Sequence, residues 1–275
     1  METLEERERN EKRRKENLGR IKHKIVVLSG KGGVGKSTVS VNVAHGLAAR
    51  GYKVGLLDVD IHGPSIAKMV GIEGETLMVS SKDERPFPIK VNDNLYALTI
   101  ATLMPDPDKP IVWRGPLKMG VIKQFLQDIE WPYLDYLIVD NPPGTGDEPL
   151  SVVQLLEDVS GSLIVSTPQK VAFLDARKTI KFSQQMNVPV LGLIENMSGF
   201  VCPNCGTRHE IFKGEGTEQA AKDFDLDILG KLPIDPNIVQ SGDSGAAFAK
   251  DFPESISAKE FDKIVDQILK KLEAK

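Results

Sequence analysis

The segment SGKGGVGKST, residues 29–38, places Gly30, Gly35, Lys36 and Ser37 at the fixed positions of the pattern G-x-x-x-x-G-K-[ST]. It follows the β-branched run KIVVLS (24–29) and opens a helical stretch, the context that a phosphate-binding loop requires. Gly30, Gly32, Gly33 and Gly35 let the amides of the loop, from Lys31 and Val34 to Thr38, turn into one concavity. The helix N-terminus adds positive potential there. In such a loop Lys36 reaches the β- and γ-phosphates of ATP and the Ser37 hydroxyl ligates Mg²⁺. Lys31 is a second lysine that cradling phosphate does not need. Far along the chain, VCPNCG (201–206) holds both cysteines, Cys202 and Cys205. Thiolates at this spacing are metal ligands in type, yet a closed tetrahedral site needs four.

Carboxylates follow two further apolar runs. LLDVDIHGPS (56–65) ends with Asp58 and Asp60 one residue apart, on the same side if the strand persists. They aim at the C-terminal edge of the sheet, where nucleotides bind. Asp60 is assigned to the attacking water and Asp58 to its support; the plain alternative is a pair of turn carboxylates. LIVDNPPGTGDE (137–148) ends an apolar strand in Asp140, which partners Mg²⁺ from outside its direct ligands. The stiff Pro142–Pro143–Gly144 turn puts the Gly144 amide where it can sense a γ-phosphate, and Asp147 reads as a helix cap. Asn196, closing the strand of LIENMS, offers the donor and acceptor that an adenine edge requires, or forms a turn.

Positioning these groups calls for a parallel sheet. KIVVLS (24–29), KVGLLD (53–58), YLIVD (136–140), SLIVST (162–167), VLGLIE (190–195) and ILGKLP (228–233) are apolar without alternation, as in strands buried on both faces. Helical stretches over 37–50, 116–129, 147–158 and 169–186 separate them, so the fold is α/β, doubly wound and mostly parallel, a P-loop NTPase. Residues 71–112 read as a small antiparallel insertion and a loop. Residues 1–22 are a charged extension outside the core, and 23–275 one ATPase domain with a metal loop at about 197–213. The C-terminal stretch carries Phe261, Ile264, Val265, Ile268, Leu269 and Leu272 on one helix face, a stripe that covers a core or, alternatively, lies on a membrane.

The 275 residues carry a net charge of −4, with 40% hydrophobic and 27% charged residues. No overall positive field draws nucleic acid or anionic lipid. No apolar run is long enough to span a bilayer and none near the start suggests a signal peptide, so no stable membrane association is expected. Two neighbouring cysteines make no disulfide scaffold, and a reducing cytoplasm is the expected compartment.

For the cysteines, a redox pair and a single-chain zinc site recruiting His209 are two readings, the second lacking a fourth ligand. The third comes from resemblance. The KGGVGKS form of the loop resembles the deviant Walker A motif of the MinD/ParA/nitrogenase-iron-protein superfamily. SGKGGVGKS, LLDVDIHGPS, WRGP (113–116), DNPPGTGDE, STPQ (166–169) and NMSGFVCPNCG, in this order, resemble the Mrp/ApbC family of iron–sulfur cluster carrier ATPases. The resemblance implies a homodimer in which Lys31 crosses to the partner's ATP and Asn196 contacts adenine. It also implies that Cys202 and Cys205 of both copies share a [4Fe–4S] cluster, which passes to apo-proteins with slow ATP hydrolysis; four such thiolates also suit zinc, the alternative metal for aerobic preparations. A MinD- or ParA-like positioning switch is the alternative function. A reductase like the nitrogenase iron protein fits less well, because its ligands are two well-separated cysteines per chain.

Overall fold

The computed structural model describes residues 4–60, 63–79, 85–103 and 115–273; Ile61, His62, Trp113 and Arg114 of the quoted motifs lie outside them. The chain begins with α1 (Leu4–Leu18), β1 (Ile21–Leu28), α2 (Lys36–Ala49), β2 (Val54–Asp58) and the short α3 (Ile66–Met69). Next come β3 (Ile89–Lys90), β4 (Leu95–Thr99), α4 (Gly115–Gln127), β5 (Leu134–Asp140) and α5 (Asp147–Leu156). Then follow β6 (Gly161–Ser166), α6 (Lys170–Gln185), β7 (Val190–Val201), β8 (Arg208–His209) and α7 (Gly216–Asp223). The last elements are β9 (Ile228–Ile234), α8 (Pro236–Ser244), α9 (Phe248–Asp251) and α10 (Ile256–Glu273).

The strands form one sheet in the order β3-β4-β2-β5-β1-β6-β7-β8, with β9 also paired to β7. All pairings are parallel except β3 with β4 and β7 with β8. Neighbouring residues along a strand enter opposite cores, as the unbroken apolar runs require. Ile25, Val27, Leu56 and Ile138 pack with α2 and α10, whereas Val26, Leu28, Leu57 and Leu137 pack with α4 and α5. A smaller cluster of Ile164, Leu193, Ala176, Ile180 and Ala220 lies under α6 and α7.

Three local readings change. The insertion is not separate from the sheet, because β4 lies parallel beside β2 and only β3 turns back against it. The charged extension is helical, but its last turn docks: Leu18 is buried, and the Asn17 Nδ2 donates to the Gln127 carbonyl at 2.7 Å. The first strand begins at Ile21, inside the segment read as extension. Asp147 is the first residue of α5 rather than its cap; that position belongs to Gly146, while Asp147 and Glu148 face the positive helix end.

The C-terminal stripe covers the core. Phe261, Ile264, Val265, Ile268 and Leu272 are buried against β9 and α2. Each such side chain is stabilised by about 1.5–3 kcal/mol on leaving water, so the face is not free to lie on a bilayer. Among the described residues no helix is long and apolar enough to cross a membrane.

Candidate nucleotide site and cysteine hairpin

The chain leaves β1 at Leu28 and re-enters helix at Lys36. Between them Gly33 and Gly35 adopt φ of 76° and 86°, left-handed values that cost other residues strain. A Cβ on Gly35 would also stand 2.1 Å from the Asn196 Nδ2. Among the described residues the amides of residues 31–35 donate to no protein acceptor. Gly32, Gly33 and Gly35 line a cleft of about 490 Å³ together with Lys36, Thr38, Asp60 and Val239, and their unused amides suit an anionic ligand.

The Walker-type groups converge on Asp140, which is fully buried at the end of β5. Its Oδ2 accepts from the Ser37 Oγ at 2.6 Å and lies 2.7 Å from the Lys36 Nζ. Its Oδ1 accepts from the Ser40 Oγ at 2.7 Å. Ser37 can therefore turn a lone pair to Mg²⁺ while its hydrogen stays on Asp140, so the donor set fits a Mg²⁺–nucleoside triphosphate. Ser40 is absent from the sequence reading, although its position three residues after Ser37 puts it on the same helix face.

Asp58 and Asp60 meet differently from the expectation. Strand β2 ends at Asp58, so a turn rather than strand alternation brings the two together: the Asp60 amide donates to the Asp58 Oδ1 at 3.0 Å. Asp60 Oδ2 stands 3.7 Å from the Lys36 Nζ. The Asp58 Oδ2 accepts from the Thr99 Oγ1 at 3.0 Å, a partner supplied by the unforeseen β4. Burial, and then the Asp140 carboxylate beside it, push the Asp58 carboxyl up to about 8.

That shift has a direct consequence for stability. Between the ordinary carboxylate value and about 8 the folded chain keeps a proton on Asp58 that the unfolded chain has lost. The ligand-free protein therefore loses stability as pH rises through this window, by an amount on the order of a few kcal/mol. Asp58→Asn keeps the shape and removes the titration. Urea midpoints at pH 5 and pH 8 should fall further apart for the wild type than for the variant; equal spacing contradicts this role for Asp58.

Lys31 does not join the Asp140 cluster. Its Nζ lies 3.4 Å from the Gln169 Oε1, in the STPQ segment before α6. The Gly144 amide, at φ of 95°, donates to the Ser29 carbonyl at 2.8 Å, so its hydrogen is already taken within the chain. The Asn196 Nδ2 donates to the Val34 carbonyl at 2.8 Å, fastening β7 to the loop and leaving its Oδ1 to accept.

Strand β7 does not stop at Asn196. It passes Met197 and Gly199, at φ of 56° and 106°, and pairs with β8 at Phe200 with His209 and Val201 with Arg208. The cysteines form the tip of this hairpin. The Cys202 amide donates to the Thr207 carbonyl and the Gly206 amide to the Cys202 carbonyl, both at 2.9 Å. Both thiols are free, Cys202 partly buried and Cys205 exposed. The Thr207 hydroxyl, 3.3 Å from the Cys205 Sγ, followed by the Thr207 amide and the Cys202 thiol, holds the Cys205 thiol below its ordinary value. Among the described residues no three His, Cys, Asp or Glu side chains gather to hold a metal, so His209 does not complete a single-chain site. In chemistry the two free thiols suit soft-metal cargo.

Residues 20–269 match the family model described as NUBPL iron-transfer P-loop NTPase, of the ParA group. The chain belongs to this family. It is 47% identical over 261 residues to a protein of Methanocaldococcus jannaschii named iron-sulfur cluster carrier protein, covering 95% of this chain and 89% of that one. Among solved structures, the nucleotide-binding protein of Archaeoglobus fulgidus in complex with ADP is 36% identical with a TM-score of 0.78. That match covers 91% of this chain and 96% of the other. The cell division ATPase MinD of Pyrococcus furiosus shares the fold at 23% identity and a TM-score of 0.64, over 90% of this chain and 99% of its own.

Proposed function

We propose that this protein is an ATP-dependent iron–sulfur cluster carrier. In this reading two copies hold one [4Fe–4S] cluster between their Cys202–Cys205 pairs and pass it to apo-proteins, with slow ATP hydrolysis. The observation that carries it is the exposed hairpin with two free thiols and no further ligand among the described residues. It stands on a chain 47% identical to a named cluster carrier. Two thiolates per copy make four only when two copies meet, and a two-fold axis brings the same loop to itself.

The residues divide the work accordingly. Bound ATP would supply the electrophilic γ-phosphorus, and Mg²⁺, held on the side of Ser37 and Asp140, would supply charge neutralisation. The amides of Gly32, Gly33, Val34 and Gly35 cradle phosphate, and Thr38 lines the same cleft. Lys36 leaves Asp140 for the phosphates, Ser37 and Asp140 hold the metal side, and Asp60, oriented by Asp58, positions the water. The Asn196 Oδ1 accepts from the adenine amino group. The burial of the α10 stripe removes the feature that favoured a membrane-positioning switch.

Reconstitution without oxygen tests the reading. About four iron and four sulfide per two chains, with transfer to an added apo-protein, are expected. A protein that takes up no iron under these conditions overturns it.

A further inference from the structure

Behind the cysteine hairpin lies a charged network that neither hydrolysis nor metal ligation uses. Glu195 of β7 is 3% exposed, and its Oε1 accepts from the Ser198 Oγ at 2.9 Å. The Lys231 Nζ of β9 lies 3.7 Å from the same oxygen and also pairs with Glu218 of α7. From β8, the Arg208 Nη2 donates to the Ser198 carbonyl and stands 3.3 Å from the Ser198 Oγ. The network runs β9, β7, β8 along the wall of a cleft of about 480 Å³ at the hairpin base.

Its position explains why it is needed. The pairing of β7 with β9 shifts register between Asn196 and Phe200 and resumes only at Phe200 with Ile234, where the pairing with β8 begins. Beyond that break, β8 contributes only two paired residues, and so short a ladder is marginal in water. Burying the Glu195 carboxylate is costly unless it is paired; Lys231 stands beside it, and it accepts from the hydroxyl of Ser198, the residue that Arg208 grips. Gly199 leaves room for that grip: a Cβ there would stand 3.2 Å from the Arg208 Nε and 3.1 Å from the His209 carbonyl oxygen. Arg208 directly follows Thr207, which bonds to the backbone of one cysteine and the thiol of the other.

We propose that Arg208 is a positioning residue for the cysteine pair: through Ser198 and Glu195 it sets the angle of the hairpin to the sheet. That angle decides where the Cys202 and Cys205 thiols meet their cargo. The identity of the cargo rests on the cluster-carrier reading, but the positioning role does not. Arg208 touches no thiol, so its effect on metal binding passes through the hairpin.

The test uses the full chain and Co²⁺, whose thiolate absorption reports the geometry of the pair whatever the natural cargo. Arg208→Met should weaken Co²⁺–thiolate binding about tenfold and alter the band shape, and Arg208→Lys, keeping one donor arm, should recover part of the loss. ADP affinity and the thermal midpoint serve as controls and should stay near wild type, because a merely structural role would move them together. Equal Co²⁺ affinity and spectra in wild type and Arg208→Met overturn the positioning role, as does a wild type with no thiolate band. Arg208-dependent Co²⁺ binding in a protein that takes up no [4Fe–4S] cluster upholds the positioning role and overturns the proposed function.

Discussion

Lys31→Ala should lower the rate of ATP hydrolysis by about 10³-fold while leaving ATP affinity near wild type, the lower end of what a charge supplied in trans contributes. Lys36→Ala should instead abolish both binding and hydrolysis. The difference follows from where the two ammonium groups lie. Lys36 is 6% exposed and 2.7 Å from Asp140, so its loss strips the phosphate site of its cation and leaves a buried carboxylate unpaired, costing roughly 3–5 kcal/mol. Among the described residues the Lys31 ammonium makes one long contact, with Gln169, and removing it should cost no more than about 1 kcal/mol of stability. A rate defect in Lys31→Ala is therefore not a folding defect, which a thermal midpoint will verify. Mixing the two variants separates trans from cis action. A mixed dimer has one complete site, made of Lys36 from one chain and Lys31 from the other, so random pairing should restore about a quarter of wild-type activity. A mixture as inactive as its components contradicts the trans role of Lys31.

The parts legible in the sequence were those governed by local rules. Largely apolar runs placed six parallel strands, since burial on both faces leaves few polar positions within them. The phosphate loop was legible because its glycines and its lysine and serine are demanded by backbone geometry and phosphate chemistry at fixed spacing. What stayed hidden depended on contacts between distant segments. LYALT follows an Asn- and Asp-rich turn and is short, so β4 was not separable from an irregular insertion, and with it went the Thr99 bond to Asp58. The continuation of β7 to Val201 was masked by Asn196, Ser198 and Gly199, residues that favour turns. Arg208 carries no signal of its own, because its value arises only when a hairpin lays it across Ser198. Asp60 was assigned to the site by strand alternation, yet a turn brings it there.

Cys202→Ala and Cys205→Ala should each reduce bound iron to background in protein reconstituted without oxygen, from about one [4Fe–4S] cluster per two chains. Losing one thiol per chain removes two of four ligands from a shared site, and a four-iron cluster held by two thiolates has lost half its anchorage. The same substitutions should leave ADP affinity and thermal midpoint unchanged. The tip of the hairpin is closed by backbone bonds of Cys202, Gly206 and Thr207, none of which needs a sulfur, and the Cys205 side chain is exposed. His209→Ala is the discriminating partner in this experiment. It should not affect the cluster, because no three ligand-type side chains gather in one chain among the described residues. Iron retained in full by either cysteine variant would refute the ligand assignment. One metal ion per single chain, lost on replacing His209, would refute the shared site itself, and with it the reason for two copies to meet at this face.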